Sequence, residues 1–183
     1  MKVISDRISV LKKEGLLSIV ILPTADKKKL GLLFLWLMAW TVCGIIVLAN
    51  YFNIHDQNSR LFVIVYLSFW AYYEFKIARA YTWKKWGKEK IWIQNGILHY
   101  QREVSKRGKI KEYNTSLIND LKLIEVSESN FSHFMGQSFW IKGGERIEMQ
   151  YQAKTIGFGM QLKTEEAKTI LKEIQDAVLK SIQ

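Results

Sequence analysis

LLSIVILPTADKKKLGLLFL, residues 16–35, passes from an apolar run through a proline and three lysines into a second apolar run. The two runs are built differently. In the first, Leu17, Ile19 and Ile21 fall on one face of a strand, and Pro23, which has no N–H for a β-ladder, ends it. The second opens a stretch without one charged side chain from Leu30 to Ile54. Its core, LGLLFLWLMAWTVCGIIVLA, has the about 20 residues that cross a ~30 Å hydrocarbon layer as a helix. No polar stripe runs along it, as a surface-lying helix of a soluble protein would require. Lys27, Lys28 and Lys29 therefore read as the boundary between two solvents.

A second apolar run, LFVIVYLSFWAYY (61–73), continues through EFKIARAYTWKKW. Long cationic side chains there alternate with Trp83 and Trp86, the pattern of a helix end leaving a membrane through the headgroups. The ten-residue connector YFNIHDQNSR leaves room only for an antiparallel return, so the spans, about 30–52 and 61–82, form a helical hairpin. Seven lysines and arginines precede the first span (Lys2, Arg7, Lys12, Lys13, Lys27, Lys28, Lys29), four follow the second (Lys84, Lys85, Lys88, Lys90), and the connector holds only Arg60. The positive-inside rule then predicts a multi-pass protein of the inner (cytoplasmic) membrane with both termini cytoplasmic. The first span is not expected to be a cleavable signal, because a patterned, charged segment precedes it and a second span follows. The single cysteine, Cys43, lies inside that span, which excludes a disulfide framework. With a net charge of +10, 24% charged residues and a mean hydropathy of -0.05, the 183 residues divide into a membrane hairpin (30–83) and polar segments on either side, 1–29 and 84–183.

Those polar segments alternate with period two. EKIWIQ ends at Asn95-Gly96, the strongest short hairpin signal, and ILHYQREV continues beyond it. The turn SKRGK, then IKEYN, LKLIEV, SFWIKG, the turn Gly143-Gly144, RIEMQY and TIGFGMQL suit an antiparallel sheet. In RIEMQY, Ile147, Met149 and Tyr151 share one face. Before the spans, RISVL, KKEG and LLSIVIL form a hairpin, which alone is marginal in water and needs a larger sheet. Both sides of the membrane hairpin face the cytoplasm, so these strands are expected to join those after residue 88. TEEAKTILKEIQDAVLKSIQ closes the chain as an amphipathic helix, with Thr164 as N-cap and Ala167, Ile170, Leu171, Ile174, Val178 and Ile182 as the apolar stripe that covers the sheet.

Three segments carry a resemblance: LSIVILP running into WLMAW, IWIQNGILHYQREV, and IGFGMQLKTEEAKTILKEI, where a glycine-bearing last strand runs into the helix. Together they resemble bacterial two-span membrane proteins with a cytoplasmic pleckstrin-homology-like (PH-like) domain. The resemblance implies an α+β membrane protein: a transmembrane hairpin inserted in an antiparallel PH-like β-barrel or sandwich closed by the C-terminal helix. It implies no activity, because this barrel hosts unrelated roles.

Chemistry-bearing patterns are sparse. His55, His99 and His133 have no HxxxH, HExxH or CxxC company, so neither metal nor cofactor is expected. Gly157 and Gly159 alternate on one strand face without a phosphate-loop signature, and Ser127, Ser129 and Ser132 lack a GxSxG setting. No catalytic residue is expected and the protein reads as a non-enzyme. Two features remain. Glu74 lies near the inner end of the second span, where a carboxylate is costly without a partner. It is either a contact to a basic residue of another subunit, a proton-handling group, or a carboxylate neutralised by Lys76, Arg79 or headgroup water. Around the spans, Lys27, Lys28, Lys29, Lys84, Lys85, Lys88 and Lys90, beside the interfacial Trp83 and Trp86 and with Lys106, Arg107, Lys109 and Lys111 in a hairpin loop, form a basic collar suited to anionic lipid, each cation contributing about 1 kcal/mol. Nucleic acid is not expected, since no binding motif accompanies the charge. Trp36, Trp40 and Trp70 are candidates for intramembrane contacts. The resulting expectation is an accessory subunit, scaffold or assembly factor for a larger membrane complex, with membrane lipids and other integral membrane subunits as partners. The competing expectation is an anionic-lipid-binding module.

Overall fold

A computed structural model describes residues 2–23, 26–124 and 144–182. The expected strand SFWIKG, most of the Gly143-Gly144 turn, His133 and Ser127, Ser129 and Ser132 lie outside the described residues. The chain forms two compact units, a helical pair within residues 25–85 and a β-unit built from the segments before and after it.

In the β-unit, β1 (Lys2–Ser5), β2 (Ile8–Lys13) and β3 (Leu16–Ile21) precede the helices, while β4 (Gly87–Gln94), β5 (Ile97–Val104) and β6 (Ile110–Asn114) follow them. All six make one antiparallel sheet in the order β1-β2-β3-β4-β5-β6. The join across the helical insertion is continuous, from Leu16 opposite Gln94 to Ile21 opposite Glu89. A one-residue slip of β3 against β4 would turn Leu17, Ile19 and Ile21 out of the core while Ile93 and Ile91 stayed in it, so the alternation pins the register. The β4–β5 turn uses Asn95 and Gly96, both at positive φ, as its dipeptide predicts.

Beyond β6 a single turn of 3₁₀-helix, Thr115–Leu117, redirects the chain into a second sheet. Thr115 is buried, and its backbone N–H and hydroxyl both donate to the Gly96 carbonyl, at 2.9 Å each. This anchor ends the first sheet. β7 (Ile118–Leu123), β8 (Ile147–Tyr151) and β9 (Lys154–Phe158) form the second, in the order β7-β8-β9. The fold is therefore α+β with two antiparallel sheets, and no closed barrel forms among the described residues, which removes the barrel from the expected alternatives of barrel or sandwich.

A C-terminal helix, here α3 (Thr164–Ile182), packs over both sheets. Its Ala167, Ile170, Ile174 and Val178 join Ile8, Val10, Ile19, Ile91, Leu98, Ile147, Met149 and Phe158 in one core. Leu171 is partly buried against it, and the side chain of Ile182 lies outside the described set. Burying side chains of this size stabilises the unit by about 1.5–3 kcal/mol each relative to exposure. Two sequence expectations change here. β9 ends at Phe158, so Gly159 has left the strand, at φ +75°, and does not share a face with Gly157. Thr164 is the first helical residue. The Lys163 carbonyl accepts the first helical bond from Ala167, and Glu166 reaches back to the Lys163 N–H at 2.9 Å, so residue 163 fills the cap position.

Glu166 also ties the helix start to the first strands. Arg7 donates to its carboxylate at 2.5 Å and to the Gln161 carbonyl at 2.7 Å. Burial raises the Glu166 pKa, but the Arg7 and Lys163 hydrogen bonds outweigh it and hold the group below its ordinary 4.5. A lowered folded value means that the stabilisation is complete above 4.5 and is lost as pH falls through the folded value. Glu166→Gln is therefore expected to cost on the order of 1–2 kcal/mol near neutral pH. It should also weaken the acid dependence of unfolding below pH 4.5, as read by thermal melts across that range.

The helical unit comprises α1 (Lys27–Tyr51) and α2 (Gln57–Trp86), both long and apolar enough to cross a membrane. Partners descend along α2 as they rise along α1. Phe34 meets Tyr81 at 5.6 Å between ring centroids, Thr41 meets Glu74, and Gly44 meets Trp70, so the pair is an antiparallel hairpin. Its seam runs through Leu33, Leu37, Trp40 and Gly44 on α1 and Leu67, Trp70, Glu74 and Tyr81 on α2, at the 4-3 spacing by which packed helices meet. Away from the seam the apolar side chains are exposed, among them Leu35 (66%), Val42 (54%) and Phe69 (62%). A soluble core helix would bury them.

Candidate functional site: a carboxyl on the hairpin seam

Glu74 was expected near the inner end of its span. Its seam position turns it onto α1, where Thr41 Oγ1 stands 2.6 Å from Glu74 Oε1 and 2.7 Å from the Leu37 carbonyl oxygen. At 1.5 Å per residue, Thr41 is about 21 Å along the axis from Lys27 and about 15 Å from Tyr51, so Glu74 meets the middle of α1. The second carboxyl oxygen, Oε2, is enclosed and has no hydrogen-bond partner. Lys76, one of the expected neutralising cations, is directed elsewhere, with its amine 5.3 Å from the centroid of the Tyr72 ring.

Of the three candidate tryptophans, Trp40 and Trp70 lie on the seam and Trp36 stacks beside Trp40. Trp36 and Trp40 stack at 5.2 Å and 12° on α1, and the Trp70 indole N–H donates to the Trp40 carbonyl at 3.1 Å. Trp70 lies against Gly44, where any Cβ would overlap its ring. Of the small residues in the first span, Gly44 permits the close approach, whereas a Cβ at Gly31 would meet nothing within 4 Å. Small residues at such a contact let helix backbones come together.

The collar divides. Lys27, Lys28 and Lys29 are exposed in the first turn of α1, with Asp26 capping the helix through the Lys28 N–H at 3.0 Å. Lys85 and Trp86 are exposed, and the Lys85 amine donates to the Tyr81 hydroxyl at 3.1 Å. Trp83 and Lys84 are buried, at 3% exposure each. Lys88 and Lys90 both pair with Glu103, whose carboxyl the Lys90 hydrogen bond holds below its ordinary value. These two are thereby engaged within the sheet. Lys106, Arg107 and Lys109 are exposed. The turn that carries them closes through Val104 and Arg107, which exchange backbone hydrogen bonds at 2.8 and 3.0 Å. Its two central residues, Ser105 and Lys106, both sit at positive φ, 50° and 66°. Gly108 is not the turn centre; it is small because the Arg102 carbonyl passes where its Cβ would be.

One buried charge cluster was not anticipated. Glu89 is 1% exposed on β4. Its Oε1 accepts from the Tyr100 hydroxyl at 2.5 Å and Arg102 Nε at 3.2 Å, and its Oε2 accepts from the Gly159 and Met160 N–H groups at 3.1 and 2.9 Å. Arg102 continues to Glu145 at 2.5 Å and the Gly157 carbonyl at 3.2 Å. Burial, then the Glu89 charge, pushes the Tyr100 hydroxyl far above its ordinary range, so it remains a donor. Four donors around one carboxylate leave it no free lone pair aimed at a ligand. The cluster is a brace between β4 and the loop after β9. Its signal in the sequence is a glutamate on the apolar phase of a strand, Gly87, Glu89, Ile91, Ile93.

Among the described residues no group of three or more His, Cys, Asp or Glu side chains is placed to hold a metal ion. His99 lies in β5, stacked on Trp92 at 4.9 Å and 9°. Compared with family models, curated proteins and solved structures, the chain finds no match.

Proposed function

We propose that this chain is a non-catalytic integral membrane protein that serves as an accessory subunit, scaffold or assembly factor of a larger membrane complex. In this reading α1 and α2 cross the inner membrane as a hairpin, and the β-unit, of PH-like type, lies in the cytoplasm with both termini. The observation that carries it is the face the hairpin leaves uncovered. The seam consumes one stripe of each helix, while Leu35, Val42, Ile45, Phe62 and Phe69 point away from it and remain exposed. An apolar surface of this extent is excluded from water and is satisfied by lipid or by other spanning helices. The continuous β3–β4 ladder supports a common side for the two ends of the hairpin, since strands of one sheet cannot be separated by a bilayer. Two helices enclose no pathway of their own, which argues against a transporter acting alone.

The test is purification of the full chain in gentle detergent, with Leu35→Ala, Val42→Ala and Phe69→Ala combined as the comparison. The wild type is expected to co-migrate with a defined set of spanning subunits and the triple variant to lose them. A wild type that runs alone as a monomer contradicts the proposal. The exposed turn of Lys106, Arg107 and Lys109 favours a second reading, an anionic-lipid contact. Neutralising these three with Lys111 should abolish selectivity for anionic over neutral liposomes if lipid is the ligand, and leave complex formation intact if the spans bind the partners.

A further inference from the structure

The hydrogen count at the hairpin seam decides among the readings of Glu74. Thr41 carries one hydroxyl hydrogen, yet its oxygen is within hydrogen-bonding distance of two acceptors, the Leu37 carbonyl at 2.7 Å and Glu74 Oε1 at 2.6 Å. One hydrogen cannot serve both fully. If Glu74 were a carboxylate, either its Oε1 or the Leu37 oxygen would press against a lone pair, and Oε2, enclosed and unpartnered, would carry charge with no donor at all. No ion pair among the described residues reaches Glu74, and the nearby Lys76 amine is committed to the Tyr72 ring. A partner subunit does not resolve the deficit, because the protein already covers Oε2 and a side chain from outside reaches it only if the hairpin opens.

We propose that Glu74 resides in the hairpin as the neutral carboxylic acid. The acid O–H on Oε1 donates to Thr41 Oγ1, and the Thr41 hydroxyl donates in turn to the Leu37 carbonyl. Every hydrogen then has one acceptor, and Oε2 is left as an uncharged carbonyl oxygen, whose missing partner costs far less than an unpaired buried charge. The relay couples α2 to the backbone of α1 at mid-helix. It also removes the one full charge from the seam at the depth where a bilayer tolerates it least. This inference goes beyond the accessory-subunit reading and stands whichever complex the protein joins.

The test is infrared spectroscopy of the full chain in lipid vesicles at neutral pH, with glutamate labelled by ¹³C at the side-chain carboxyl to identify the bands. The wild-type spectrum minus that of Glu74→Gln is expected to contain one carboxylic-acid C=O stretch. Thr41→Val should move that stretch to higher frequency, because the acid loses its acceptor, and Thr41→Ser should restore it. A difference spectrum with carboxylate stretches and no acid band overturns the proposal. An acid band that Thr41→Val leaves in place overturns the relay. The Thr41 pair decides the question even where Glu74→Gln fails to insert, because both Thr41 variants keep the carboxyl.

Discussion

Glu89→Ala is expected to be the most damaging single substitution in the β-unit. It removes the acceptor for four donors at once: the Tyr100 hydroxyl, Arg102 Nε and the N–H groups of Gly159 and Met160. Deleting one partner of a buried charged pair costs about 3–5 kcal/mol, because the remaining groups stay desolvated and unpaired. For a unit of this size that corresponds to a fall in melting temperature of roughly 10 °C or more. Thermal unfolding of the full chain in detergent, followed by far-UV circular dichroism in the strand region, reads it. Glu89→Gln tests the reason. A glutamine amide directs two N–H donors at a site that already supplies only donors, so the near-isosteric variant should recover little of the loss. Recovery to near wild-type stability would show that shape, not charge and acceptor count, is what position 89 provides.

Gly44→Leu should produce the largest effect in the helical unit. The Trp70 ring occupies the place of the Cβ, and the indole cannot move aside without breaking its hydrogen bond to the Trp40 carbonyl. Overpacking a close contact costs about 1–3 kcal/mol even where the surroundings adjust. Here the lost Trp70 bond adds to it, and Glu74, about one turn of α2 from the crossing, would lose its place against Thr41. Spin labels on the outward positions Met38 and Phe75 report the outcome, because both are exposed and outside the seam. A short, narrow distance distribution in the wild type is expected to lengthen and broaden in Gly44→Leu, with Gly44→Ala intermediate. An unchanged distribution would mean that the Gly44–Trp70 contact does not hold the hairpin.

Much of the fold was legible because its signals are periodic. Ile147 and Met149 alternate into the core, Asn95-Gly96 makes the β4–β5 turn, and Ala167, Ile170, Ile174 and Val178 recur at helical spacing. Leu17, Ile19 and Ile21 advertised a strand in need of a partner, and the partner is β4, beyond both helices. What the sequence concealed lacked contrast. Inside an all-apolar helix every position looks alike, so the seam through Leu33, Leu37, Trp40 and Gly44 is invisible to hydropathy. The contact of Glu74 with Thr41 was hidden for the same reason. The clue was its spacing, four residues after Trp70 and seven after Leu67, which places it on the seam. Glu89 was overlooked because a single acidic residue in a basic segment suggests a surface. Its phase with Ile91 and Ile93 says otherwise. The break between the two sheets falls at Thr115, whose anchor to Gly96 joins positions 19 residues apart and leaves no local pattern.

The central claim, a membrane-crossing hairpin inserted into one sheet, is tested most directly by side-specific labelling. In a Cys43→Ala background, single cysteines are placed at Asn53 in the connector, at Lys13 before the β2–β3 turn and at Lys109 in the exposed basic loop, all on exposed positions. Intact cells are then treated with a membrane-impermeant maleimide. Asn53→Cys is expected to react from outside, while Lys13→Cys and Lys109→Cys react only after permeabilisation, and to the same extent. Labelling of Lys13 and Lys109 from opposite sides, or protection of Asn53 along with both of them, would contradict the account.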